Sequence, residues 1–178
     1  MLKSARARHE GPGLRFMIRT GSGHEFALDD AAGDSGPRPA ELLLAAQAGC
    51  AAFDVASILA KKHQAATRYE VVVTGEQRED RHPHIYRRID VIHELEGSHL
   101  DEVAVRRAIE LAATRYCTAT AMLSSGVAEV HHGYRIRRGH GLPEVRGDVV
   151  VTGPGDDPDA LGQRLLGAAG AAGVGDGS

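Results

Sequence analysis

The stretch 42–59, LLLAAQAGCAAFDVASIL, constrains this chain more than any other segment. Pro39 is suited to the first turn of a helix, where its missing N–H costs nothing, so a helix is predicted from there to Lys61-Lys62-His63. Leu43, Ala46, Cys50, Phe53 and Ser57 recur at helical spacing, while Leu42, Leu44, Ala45, Ala51, Val55 and Ile58 cover the other faces. A helix apolar almost all round is normally buried within a larger assembly. Spanning length is reached only by including Gln47, Asp54 and Ser57, and the run is Ala-rich, so a buried core helix is expected and no membrane partner.

The rest of the chain surrounds this helix with strands. Leu14, Phe16 and Ile18 alternate, Gly21-Ser22-Gly23 follows, and Phe26 and Leu28 continue, which predicts a hairpin. Tyr69, Val71 and Val73, then Ile85, Ile89, Val91 and Leu95, predict two further strands. Ser98 with Asp101 resembles a capping box before an amphipathic helix that places Val105, Ala108, Ile109, Ala112 and Tyr116 on one face. A short helical turn is expected over 117–123, and Ala128, Val130, His132, Tyr134 and Ile136 alternate as a last strand. With a strand before Gly11, the order is β-β-β-α-β-β-α-β, an α+β class.

After Arg138 the composition turns to Gly, Ala and Asp. Two regions are therefore expected: a folded domain over 1–138, and a largely disordered tail over 139–178 with a marginal helix at 160–169. Val149-Val150-Val151-Thr152 is the segment of that tail able to add an edge strand.

Charge and composition remove several functions. A net charge of −3 offers no general attraction for phosphate backbones, and 4% aromatic residues with no Trp leave no stacking platform, so nucleic acid is not an expected partner. The basic start lacks the apolar stretch of a secretory signal, which predicts a cytoplasmic protein. Neither Gly21-Ser22-Gly23 nor Gly153-Pro154-Gly155 forms a phosphate loop, and Ser124-Ser125-Gly126 is no nucleophile elbow. His82, His84, His93, His99, His131 and His132 show no zinc-ligand spacing, so they are expected as solvated surface groups, with no metal and no cofactor.

Two cysteines remain, Cys50 within the apolar helix and Cys117 at the end of the second. They lie 67 residues apart, and two cysteines are too few for a disulfide scaffold; they are either small core hydrophobes or reactive thiols. A thiolate inside an apolar helix needs a cation or hydrogen-bond donor from elsewhere, whereas one opening a helical turn has free N–H groups nearby.

The segment Gly36-Pro37-Arg38-Pro39-Ala40-Glu41-Leu42-Leu43-Leu44-Ala45-Ala46-Gln47-Ala48-Gly49-Cys50, followed by Phe53-Asp54-Val55-Ala56-Ser57-Ile58-Leu59, resembles the first helix of the OsmC/Ohr family (osmotically induced protein C and organic hydroperoxide resistance). Arg107-Ala108-Ile109-Glu110-Leu111, running into Tyr116-Cys117-Thr118-Ala119-Thr120-Ala121-Met122-Leu123, resembles its second motif, and the pair points to the YhfA-like branch. The resemblance spans roughly 1–138 and implies an OsmC-like fold: an intertwined homodimer with its long central helices buried between the chains. It further implies a thiol peroxidase for organic hydroperoxides, with Cys50 attacking, Cys117 resolving, and a dithiol reductant restoring both. In the family a carboxylate directly after the helix-opening proline orients an activating arginine. Here that position is Ala40, Glu41 follows about 100° further round the helix, and the candidate arginines are Arg38, Arg15 and Arg19. Glu41 and Arg38 are thus the supporting candidates. Two other functions suit the same scaffold: non-catalytic binding of a hydrophobic small molecule, and a thiol redox sensor.

Overall fold

A computed structural model describes residues 2–126, 129–139, 142–153 and 162–165. The chain divides into two compact units, Met1–Ala45 and Ala46–Ser178.

The first unit is a three-stranded antiparallel sheet of β1 (Ala5–His9), β2 (Phe16–Thr20) and β3 (Glu25–Leu28), in the order β1-β2-β3. The anticipated hairpin pairs Ile18 with Phe26, and its turn uses Gly23 at φ 90°, where a side chain would be strained. Asp29 organises the following loop by accepting from the Ser35 hydroxyl at 2.5 Å and from the N–H groups of Asp30 and Ser35. These bonds hold its carboxyl below the usual carboxylate range.

Helix α1 runs over Glu41–Lys61, starting two residues after Pro39. It buries a single stripe at four-residue spacing, Gln47, Ala51, Val55 and Leu59. Phe53 is 83% exposed and Leu43 48%. By length and composition α1 is apolar enough to cross a membrane, and most of its surface is left uncovered within one chain.

The second unit is built on a five-stranded sheet in the order β4-β5-β6-β7-β8: β4 (Arg68–Gln77), β5 (Tyr86–Glu96), β6 (Glu129–Arg137), β7 (Val145–Gly153) and β8 (Gly162–Leu165). All neighbours are antiparallel except β5 and β6, which run parallel with Val91 opposite His132. A parallel pair needs a long crossover, supplied here by α2 (Glu102–Leu111), a π-helical turn (Ala112–Tyr116) and α3 (Thr118–Ser124). The core packs Val55 and Leu59 of α1 with Val105, Ala108 and Ile109 of α2 and with Leu95, Ile136, Val149 and Val150 of the sheet.

Several expectations are corrected. The cap of α2 is Asp101, which accepts from the N–H groups of Val103 and Ala104; Ser98 lies too far upstream to do so. Tyr116, expected on the apolar face, is 58% exposed, because the π turn carries an extra residue per turn and shifts the face. The sheet does not end at Arg138. Val145–Gly153 pairs along β6 and Gly162–Leu165 pairs along β7, since the β-branched run at 149–151 has an apolar face to bury on α2. The expected disordered tail therefore does not begin at 139, and 162–165 is strand where a marginal helix was expected. The remainder of that expectation, 154–161 and 166–178, lies outside the described residues.

Candidate active site

Cys50 and Asp54 are four residues apart on α1 and so share a face of the helix. Cys117 caps α3 in an extended conformation, with φ −70° and ψ 103°. The π turn delivers it there: the Cys117 N–H donates to the Ala112 carbonyl at 2.8 Å, closing the widened turn. The two sulfurs and a carboxylate oxygen of Asp54 all lie within 4.8 Å of one another, and both cysteines are free thiols. The structure thus brings together two residues that are 67 positions apart in sequence.

The thiols differ in access. Cys50 is half-buried, whereas Cys117 is 2% exposed. Burial pushes the Cys117 thiol up to about 11; hydrogen bonds from Thr120 pull it down, one of them from the Thr120 N–H at 3.4 Å, and the neighbouring Cys50 pushes it up again. Asp54 is shifted upward as well, by desolvation, and its Oδ2 is buried without a hydrogen-bond partner. No cation is among the groups that shift Cys117 or Asp54.

Thr120 connects this cluster to both sides of the unit. Its hydroxyl accepts from the Gln47 side-chain amide of α1 at 2.9 Å, tying the two cysteine-bearing helices together, and meets His132 Nε2 at 3.4 Å. The His132 ring stacks on His93 with centroids 6.0 Å apart, and His93 Nδ1 and the Tyr69 hydroxyl share a hydrogen bond of 2.8 Å. Both histidines are buried and held neutral, pushed down to about 3 by desolvation. This corrects the expectation of surface histidines for these two positions. Alternation along β5 and β6 turns them inward, where Tyr69 and Thr120 supply polar partners. His131, on the opposite face of β6, pairs with Glu129.

The supporting candidates Arg38 and Glu41 belong to the first unit. There Glu41 accepts from the Arg38 N–H at 2.8 Å while its own N–H donates to the Arg38 carbonyl, a reciprocal cap that starts α1. The Arg38 guanidinium pairs with Asp34 at 2.9 Å. Arg15 pairs with Glu10, and Arg19 lies 3.8 Å from Glu25.

The fold that carries this thiol pair has known counterparts. The family model for OsmC-like protein matches residues 32–132, which include both cysteines. The chain belongs to the OsmC-like family. It is 38% identical over 124 residues to Protein YhfA of Escherichia coli strain K12, covering 70% of this chain and 91% of that one. An OsmC-like protein from Mycoplasma pneumoniae superposes with a TM-score of 0.68 at 16% identity, covering 77% of this chain and 98% of that one. The organic hydroperoxide resistance protein OhrB of Bacillus subtilis gives 0.51 at 18% identity, over 75% and 98%. These two likenesses establish a shared fold.

Asp54, Gln47 and Thr120 were not among the residues singled out from sequence. Asp54 had a usable signal, an acid four positions from Cys50 in an otherwise apolar helix. The Gln47–Thr120 bond spans 73 residues and has none.

Proposed function

We propose that this OsmC-like protein is a thiol-dependent peroxidase for organic hydroperoxides, with Cys50 as attacker and Cys117 as resolver. The observation that carries the reading is the cluster of two free thiols and a carboxyl, all within 4.8 Å. The roles follow from access: Cys50 is the thiol a peroxide reaches, and buried Cys117 is protected from direct attack.

The Cys50 thiolate displaces the distal peroxide oxygen, becoming a sulfenic acid as the O–O bond breaks and an alkoxide leaves. Asp54, four residues from Cys50 on α1, moves one proton: it accepts it from the Cys50 thiol and returns it to the alkoxide, giving an alcohol. Cys117 then condenses with the sulfenic acid, forming a Cys50–Cys117 disulfide and water. A dithiol reductant reopens the bridge by exchange. An apolar helix favours alkyl over hydrogen peroxide, since a buried alkyl tail gains about 25 cal/mol per Å². The uncovered faces of α1, with Phe53 and Leu43, support a homodimer in which a second copy covers them. A cytoplasmic setting supplies the dithiol and keeps both thiols reduced between turnovers.

Mass spectrometry of the reduced protein after one equivalent of an organic hydroperoxide tests this. The expected result is loss of two hydrogens mapped to a Cys50–Cys117 bridge, a trapped Cys50 sulfenic acid in Cys117→Ser, and a slower first step in Asp54→Asn. Two thiols left unoxidised would overturn the reading in favour of a non-catalytic binding protein.

A further inference from the structure

The cluster at Cys50 also has the composition of a ligand set. Two sulfurs from different elements converge with one carboxylate oxygen, and among the described residues this is the group of three or more His, Cys, Asp or Glu able to hold a metal ion. Two of the donors, Cys50 and Asp54, sit four residues apart on one helix, the spacing by which helices commonly present paired metal ligands to one ion. The third, Cys117, is fixed at the cap of α3 by the π turn and by Thr120.

The separations fit a small tetrahedral cation after a modest contraction. With metal–sulfur bonds of about 2.3 Å and metal–oxygen bonds of about 2.0–2.2 Å, donor atoms around zinc stand roughly 3.5–3.8 Å from one another. Here they lie within 4.8 Å, a difference that side-chain rotation at two helix positions and one cap accommodates. A second observation points the same way. Asp54 Oδ2 is buried with no hydrogen-bond partner, so the carboxyl retains an unused acceptor. Sulfur donors select soft or borderline ions over magnesium and calcium, and three protein ligands leave a fourth position open.

We propose that Cys50, Asp54 and Cys117 form a three-ligand site for a thiophilic divalent cation of the zinc class, filled when both thiols are reduced. This goes beyond the peroxidase reading and does not depend on it, because binding needs the reduced thiols and no turnover.

The experiment is anaerobic titration of the reduced, full-length protein with Co²⁺ as a spectroscopic probe. One Co²⁺ per chain is expected to give a sulfur-to-cobalt charge-transfer band and intense tetrahedral d–d bands, both bleached by one equivalent of Zn²⁺. Cys50→Ser and Cys117→Ser each lose about half of the charge-transfer intensity, while Asp54→Asn keeps that band and binds more than about tenfold more weakly. His84→Gln, which alters an exposed histidine outside the cluster, leaves the spectrum unchanged. Circular dichroism of each variant separates ligand loss from misfolding. Absence of a charge-transfer band in the wild-type protein overturns the site, as does equal Zn²⁺ affinity in the Cys50→Ser/Cys117→Ser double variant. A cobalt spectrum without peroxide oxidation would remove the peroxidase and leave the metal site; the converse would do the opposite.

Discussion

Cys117 carries a conflict between its position and its surroundings. As the cap of α3 it receives hydrogen bonds that favour a thiolate, yet burial outweighs them and pushes the thiol up to about 11. At neutral pH the resolving thiolate is scarce, so bridge closure is expected to accelerate as pH rises, by up to about tenfold per pH unit between 7 and 10. Quenched-flow mass spectrometry of the Cys50 sulfenic acid measures this, and a closure rate independent of pH would contradict it. That Cys117 begins a helical turn was legible in the sequence, where a short turn is expected over 117–123. Its burial was not, because burial there depends on the π turn, which no residue type announces. Asp54 shows the opposite case: an acid four residues from Cys50 in an apolar helix stood in plain view, but its closeness to Cys117 required the partner element that carries that thiol.

Between elements, the Gln47–Thr120 bond is the direct polar link from α1 to α3 described around the thiols. Replacing Gln47 with Leu is expected to cost about 1–2 kcal/mol, read in urea melts, and to slow disulfide formation because the sulfurs lose their common anchor. A substitution with unchanged stability and unchanged bridging would show the link to be incidental. Strands β2 to β6 and the two principal helices were readable from periodicity of two and near four, and β5 shows why: Ile89, Val91 and Leu95 are buried at even spacing while Asp90 and Glu94 between them are not. The same alternation places His93 inward, and only the prior that histidines prefer solvent hid it. β7 was obscured by its Gly- and Asp-rich flanks. Its Val149 and Val150 are 3% and 0% exposed, so ending the chain at Arg138 is expected to remove about 3 kcal/mol or more of burial. Urea midpoints of the full chain and the truncation decide the point, and equal midpoints would return 142–153 to the status of a tail.

For the whole molecule, the buried His93 and His132 set an acid limit. Both are held neutral with folded values of about 3, below the ordinary histidine value of 6.5, so the unfolded chain binds protons that the folded chain refuses. Stability is thus full above about pH 6.5 and declines as pH falls toward 3, by about 2 kcal/mol for each histidine between pH 7 and pH 5. Thermal melts across that range should show the decline, and His93→Gln should halve its slope; a flat profile would mean that the folded protein protonates these rings as readily as the unfolded chain does. The parallel pairing of β5 with β6 has a consequence in time. The crossover carrying α2 and α3 joins β5 to β6, and closing so long a connection is expected to come late compared with forming the β4–β5 ladder. Cys117 travels on that crossover, so on a newly made chain Cys50 is expected to gain a neighbouring sulfur only late in assembly. The thiol pair is then a product of finished folding, and oxidant met earlier is expected to find two separate cysteines.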